Sequence, residues 1–269
     1  MSKNFGRSAA KYFAIFKISA KDMLSFRTDF VLTFVMRILY PLVMVFVWAV
    51  VFKTTNVAKI GTYNFTGMIA YFFIASVIEL AVFTDLPYSM QHDIKHGSIT
   101  QKISMPIAYI RYILSSSMIN NFIWSSIIGI PLLVLITFVF GLHVSAAQFM
   151  MFVFTLAIGV SIAYSLEFII GCISVYTNDI NGILTFEGIM ASLFGGALIP
   201  ITLFPGAIGK AIGLLPFQFM FYLPITAFTG SAAIGPEVLL MGLVWLAVFI
   251  IIGYFIWKNA FKKITSAGG

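Results

Sequence analysis

The chain has 269 residues, 61% of them hydrophobic and only 9% charged, with a mean hydropathy of +1.03. A soluble domain carries about 25% charged residues, so this composition excludes an ordinary soluble globule, leaves the bilayer as the tolerable solvent, and fits one membrane domain with short loops. The net charge of +7 does not point to nucleic acid, because cytoplasmic loops of membrane proteins collect Lys and Arg, and the lone Cys172 excludes an intrachain disulfide or a thiolate metal cluster.

Residues 1–29 form an amphipathic segment. Phe5, Ala9, Tyr12, Phe13, Phe16, Ala20 and Met23 recur at helical spacing, while Lys3, Arg7 and Lys11 make a separate stripe. Such a helix lies in the inner interface with its cations toward anionic headgroups. It is predicted to be an elbow into the first span; Lys17 and Lys21 interrupt any core of a cleavable signal.

A helix needs about 20 apolar residues to cross the hydrocarbon core. Six stretches qualify: Phe30–Phe52, Phe65–Phe83, Ile113–Phe140, Phe149–Tyr176, Gly182–Leu203 and Val238–Trp257. Backbone groups in lipid must bond within their own segment, so each is expected to be helical. The expected fold is an all-α membrane protein, a six-span domain over residues 30–257 with a tail at 258–269. Residues 204–227 are apolar but hold Pro205, Pro216 and Pro224 with Gly206, Gly209 and Gly213. That density breaks a helix, so an external re-entrant or interfacial helix pair is expected there, with an ordinary apolar loop as the alternative. Twelve of the 16 Lys and Arg fall before the first span, in the loop after the second, or in the tail. The positive-inside rule therefore places both termini in the cytoplasm.

Catalytic motifs are wanting. A phosphate loop needs GxxxxGK and a hydroxyl residue; the nearest approach, Gly206 to Ala211, has the wrong spacing and no hydroxyl. His92 and His96 share a helix face but have no third ligand nearby, so no metal site is expected. The informative polar stretch is 85–111, on the inner side. A helix to His96, a stop at Gly97 and a second helix to Met105 before Pro106 suit the pattern. An ordinary loop suits it equally.

Four ionisable groups lie inside the spans: Arg37, Glu79, Glu167 and Glu187. At roughly 1.5 Å per residue all four belong to the cytoplasmic half. Arg37 and Glu79 lie at overlapping depths and are expected to pair. Glu167 and Glu187 either line an inner acidic vestibule, which favours cationic amphiphiles, or bind Ser, Thr or backbone partners between helices.

The layout resembles the type 2 ABC transporter permeases, the membrane subunits of ABC exporters. Three places carry the likeness: the basic elbow ending Phe26-Arg27-Thr28-Asp29-Phe30; the run Asp93-Ile94-Lys95-His96-Gly97-Ser98-Ile99 followed by Lys102 and Pro106; and the Pro/Gly-rich helix pair. The family often has Arg where this chain has Lys95, His96 or Met105. The resemblance implies a non-catalytic subunit in the plasma membrane that pairs with a second permease, identical or homologous. It also implies two copies of an ATP-binding subunit, which would hold ATP and Mg, with the segment Asp93–Lys102 as the coupling helix. Tyr40, Trp48, Tyr71, Phe72 and Phe73 are then candidates for an apolar path between paired permeases. A stand-alone secondary transporter or channel is the alternative, weakened by the lack of an internal repeat. A membrane-embedded enzyme would need a catalytic cluster that the sequence does not offer.

Overall fold

The computed structural model describes residues 27–105 and 107–267. Among them the chain is helical, with one isolated bridge between Ile60 and Tyr63. The predicted elbow lies outside the described residues except for its last three, which already belong to α1 (Arg27–Thr55). Five helices are long and apolar enough to cross a bilayer: Phe34–Thr55, Phe65–Lys95, Tyr109–Val139, Ala146–Ile173 and Pro236–Ile264.

The second of these is two helices. α2 (Phe65–Val82) starts at Asn64, whose side chain accepts from the Gly67 N–H at 2.8 Å and so caps the first turn. It stops at Phe83, and α3 (Leu86–Lys95) begins with Pro87 in its first turn. Gly97, at φ +70, turns the chain into α4 (Ser98–Ile103). The third span is α5 (Tyr109–Trp124), a π turn over Ser125–Gly129, and α6 (Ile130–Val139). Pro131 has no N–H to give the Ile127 carbonyl, which accounts for the widened turn just before it.

α7 (Ala146–Ile173) is the central helix. It opens with a capping box in which Ser145 and Gln148 satisfy each other's backbone N–H groups at 3.2 and 2.7 Å. α3, the Pro216–Thr229 segment and the last helix (Pro236–Ala267) all pack on it, and two of its glycines let α3 and Phe219 approach closely. A Cβ on Gly159 would sit 2.0 Å from the Phe219 carbonyl oxygen, and one on Gly171 would sit 2.6 Å from Met90 Sδ.

The fifth predicted span departs most from expectation. α8 (Asn181–Phe194) has 14 residues, about 21 Å at 1.5 Å per residue; it does not continue to Leu203. Gly195 and Gly196 end it, the latter at φ +90, and the freed backbone finds partners from elsewhere. Tyr71 Oη donates to the Gly196 carbonyl at 2.7 Å, Tyr40 Oη to Ala197 at 3.3 Å, and the Tyr222 N–H to Gly195 at 2.9 Å. Broken backbone at membrane depth survives only with such partners. A 3-10 turn (Ile201–Leu203), α9 (Gly206–Ile212), a second 3-10 turn (Pro216–Phe219) and α10 (Tyr222–Thr229) follow. The chain bends by 71° between α9 and the Pro216–Thr229 segment. α10 is buried almost throughout, as an interrupted segment within a membrane domain must be. α11 (Pro236–Ala267) closes the chain.

Two apolar clusters result. The larger fills the space between α2, α6, α7 and α10. The smaller joins Leu86 and Met90 of α3 and Ile99 of α4 to Tyr109, Tyr164, Phe168, Cys172 and Ala260. The polar-loop segment thus has a core of its own, shared with the ends of α5, α7 and α11.

Candidate functional site

The α3–Gly97–α4 knuckle is built around Asp93, which is only 2% exposed. Lys102 Nζ donates to both carboxylate oxygens at 2.6 and 2.8 Å, Ser98 Oγ donates at 2.8 Å and Tyr109 Oη at 3.1 Å. A buried carboxylate tolerates desolvation only when paired and hydrogen-bonded in this way. Lys102 also lies 5.4 Å from the Tyr112 ring centre. The site therefore ties α4 back to α3 and to the start of α5.

This arrangement corrects part of the expected contact set. Asp93 and Ile99 face inward, so they position the knuckle and cannot themselves touch a docked protein. Lys95, His96 and Gly97 are exposed, with Ile94, Ser98 and Lys102 half-buried beside them. His92, also exposed, stacks on His96 with ring centres 4.2 Å apart.

The break between α2 and α3 is held from two sides. Glu167 of α7 accepts from the Thr84 N–H at 2.9 Å and from the Thr84 hydroxyl. The Thr84 hydroxyl oxygen in turn accepts from the Leu86 N–H at 3.0 Å. Asn121 of α5 donates to the carbonyls of Ala81 and Phe83 at 3.4 and 3.0 Å. Apart from the Thr84 hydroxyl's own bond to Glu167, each of these contacts serves a backbone group at or beside the open ends of α2 and α3. Glu167 is 2% exposed and Glu187 9%, so neither lines an open acidic vestibule; Glu187 Oε1 has no hydrogen-bond partner.

Arg37 of α1 and Glu79 of α2 are joined, Nη1 to Oε2, at 2.6 Å. Arg37 borders two spaces, and Glu79 the first of them. One, of about 420 Å³, lies between α1, α2 and the turn after α8, with Tyr40, Val43, Leu198 and Phe221 in its walls. The other, of about 220 Å³, is a polar crevice where Arg37 meets Asn120, Asn121 and Trp124.

Of the aromatic path candidates, Tyr40 alone lines the larger space. Tyr71 and Phe72 are at most 1% exposed and belong to the core. Tyr71 is taken up by the Gly196 carbonyl, and Phe72 is covered by Trp48, whose ring centre is 6.0 Å away. Phe73 packs on Phe140 at 5.9 Å. A lipid-exposed stripe and a packed one read alike in so apolar a sequence.

Sequence reasoning passed over Thr84, Tyr109 and Asn121. Asn121 carries a sequence signal, an amide inside an apolar stretch.

A family model described as ABC-2 family transporter protein matches residues 38–268. No curated protein matches the chain. The match covers most of the first long helix, the other four, the knuckle and the bent pair, so the chain belongs to the ABC-2 transporter family and is a non-catalytic, multi-pass membrane permease of an ABC transporter.

Proposed function

We propose that this permease is the translocation subunit of an exporter, driven by ATP hydrolysis on a separate subunit that docks at the knuckle. The observation that carries the reading is an exposed tip, Lys95-His96-Gly97, on a base locked by Asp93 to Lys102 and Tyr109. A tip on a loose loop would absorb a push; this one passes it to α5, α7 and α11 through the apolar cluster below. The family generally works with an ATP-binding subunit. The chain crosses the plasma membrane six times in this reading, with α8 as the fifth crossing and both termini cytoplasmic. Two ATPase copies serve a pair of permeases, and ATP and Mg stay on the ATPase. The second permease closes over the space beside Arg37 and Tyr40. That side is suited to it, since Met36, Leu39 and Val43 of α1 line the space and are 57%, 48% and 51% exposed.

The test is purification in mild detergent with mass analysis of what co-purifies, followed by ATP turnover with and without this chain. A cassette ATPase whose turnover depends on the permease and falls with Lys95→Glu or Gly97→Pro is the expected result. Turnover indifferent to the permease and to both changes would refute the reading.

A further inference from the structure

A groove of about 390 Å³ runs along α5, α7 and α11, none of which lines the larger space beside Arg37. Ile110 and Leu114 form one wall, Ile250 and Tyr254 the other, and Ser161 and Ser165 lie on the floor. Both hydroxyls are turned back on their own helix: Ser161 donates to the Ala157 carbonyl and Ser165 to the Ser161 carbonyl, each at 2.7 Å. Neither serine therefore offers an occupant a spare hydroxyl proton, and most of the lining is hydrocarbon. Toward its inner end the lining residue Phe168 is backed by Trp257 at 5.9 Å, itself stacked on Tyr109 with ring centres 5.5 Å apart.

Two cations stand at that end. Lys258 continues the row Leu246, Ile250, Tyr254 at the next helical step of four. Arg111 follows Ile110 and precedes Leu114 by three, on the outer lip of the α5 wall. Both are exposed, and neither makes an ion pair among the described residues. An apolar slot with cations at its cytoplasmic mouth matches a lipid that has an acidic head, and basic pockets between inner helix ends bind such heads.

We propose that this groove holds one acyl chain of an inner-leaflet anionic phospholipid, with its phosphate between Arg111 and Lys258. The inference uses the inner placement of 85–111 and the tail, and does not depend on what the permease transports.

The probe is purified protein in mild detergent titrated with phosphatidylglycerol or phosphatidylcholine of equal chain length, with bound lipids counted by native mass spectrometry. The wild type is expected to prefer phosphatidylglycerol by on the order of tenfold or more at its tightest site, the scale set by two basic side chains at an acidic headgroup. Arg111→Gln with Lys258→Gln removes that preference and keeps phosphatidylcholine binding. Because these are exposed side chains, the double variant should melt with the wild type, so loss of preference reads on the site. Ser165→Phe fills the floor and removes the tightest site for both lipids. A preference that survives the double charge variant overturns the proposal. So does Ser165→Phe that alters permease pairing while lipid binding stays intact, since that outcome assigns the groove to protein contact.

Discussion

Asp93 and Lys102 make an ion pair with unequal partners, and the inequality has a measurable sign. Asp93 is 2% exposed at its side chain and Lys102 25%. Removing the lysine leaves a buried carboxylate with only the Ser98 and Tyr109 hydroxyls; removing the charge on Asp93 leaves a lysine that swings to water. Breaking a buried pair by deleting one partner costs about 3–5 kcal/mol. Lys102→Met should fall near that range, and Asp93→Asn well below it at about 1–2 kcal/mol, the scale of hydrogen bonds partly kept. Thermal unfolding in detergent ranks the two. An equal cost, or Asp93→Asn as the worse variant, would mean the carboxylate is not held as described. The residues' charges and their helical spacing were readable from sequence, and their role was not. Nothing local says that Asp93 points in while its neighbour Lys95 points out; that follows from Gly97, whose left-handed turn folds α4 back over α3.

At the level of elements, the break between α2 and α3 decides how the knuckle is attached to the membrane domain. The end of a helix leaves N–H and C=O groups open, and here α7 and α5 reach across to close them through Glu167 and Asn121. Glu167→Gln keeps an acceptor for the Thr84 N–H and can donate its amide to the Thr84 hydroxyl oxygen, so a cost of at most about 1 kcal/mol is expected. Glu167→Leu leaves the Thr84 N–H unpaired in a dry site, which costs about 1–3 kcal/mol. The Leu variant should also loosen α3 from α2, seen as faster amide exchange over residues 84–90 than in the Gln variant. Matching exchange in the two would show that the capping contact does not matter. Such a break is invisible to a hydropathy reading, because Phe83-Thr84-Asp85 simply looks like the end of a span. The same blindness explains α8. Gly195 and Gly196 sit among apolar residues, so the stretch reads as one span to Leu203. What ends the helix is a supply of hydroxyls from Tyr40 and Tyr71, 157 and 125 residues away in the chain. The five long spans were legible because each carries an apolar stretch long enough to cross, whatever breaks lie near its end.

For the molecule as a whole, the proposed docking knuckle and the proposed cargo space are built from different helices. The knuckle is bonded to α5, α7 and α11 through the smaller cluster, whereas the space beside Tyr40 belongs to α1, α2 and the turn after α8. α2 is the one helix that borders that space and also leads into the knuckle, and Arg37–Glu79 ties it to α1. The pair should therefore hold α1 to α2 as α2 is driven. Depth comparison made this pairing legible beforehand, since a charge in hydrocarbon has few ways to be satisfied. Arg37→Glu puts two carboxylates together at that depth, and Glu79→Arg puts two guanidiniums there. Each should destabilise by about 2 kcal/mol or more, somewhat under the 3–5 kcal/mol of a fully buried pair because Glu79 keeps contact with solvent or headgroups. The double exchange restores opposite charges at the same two positions. It is expected to recover most of the lost melting temperature and of the ATP turnover of a reconstituted complex. If the double variant is as impaired as the sum of the singles, the two side chains act independently, and the proposed link between α1 and the driven helix is lost.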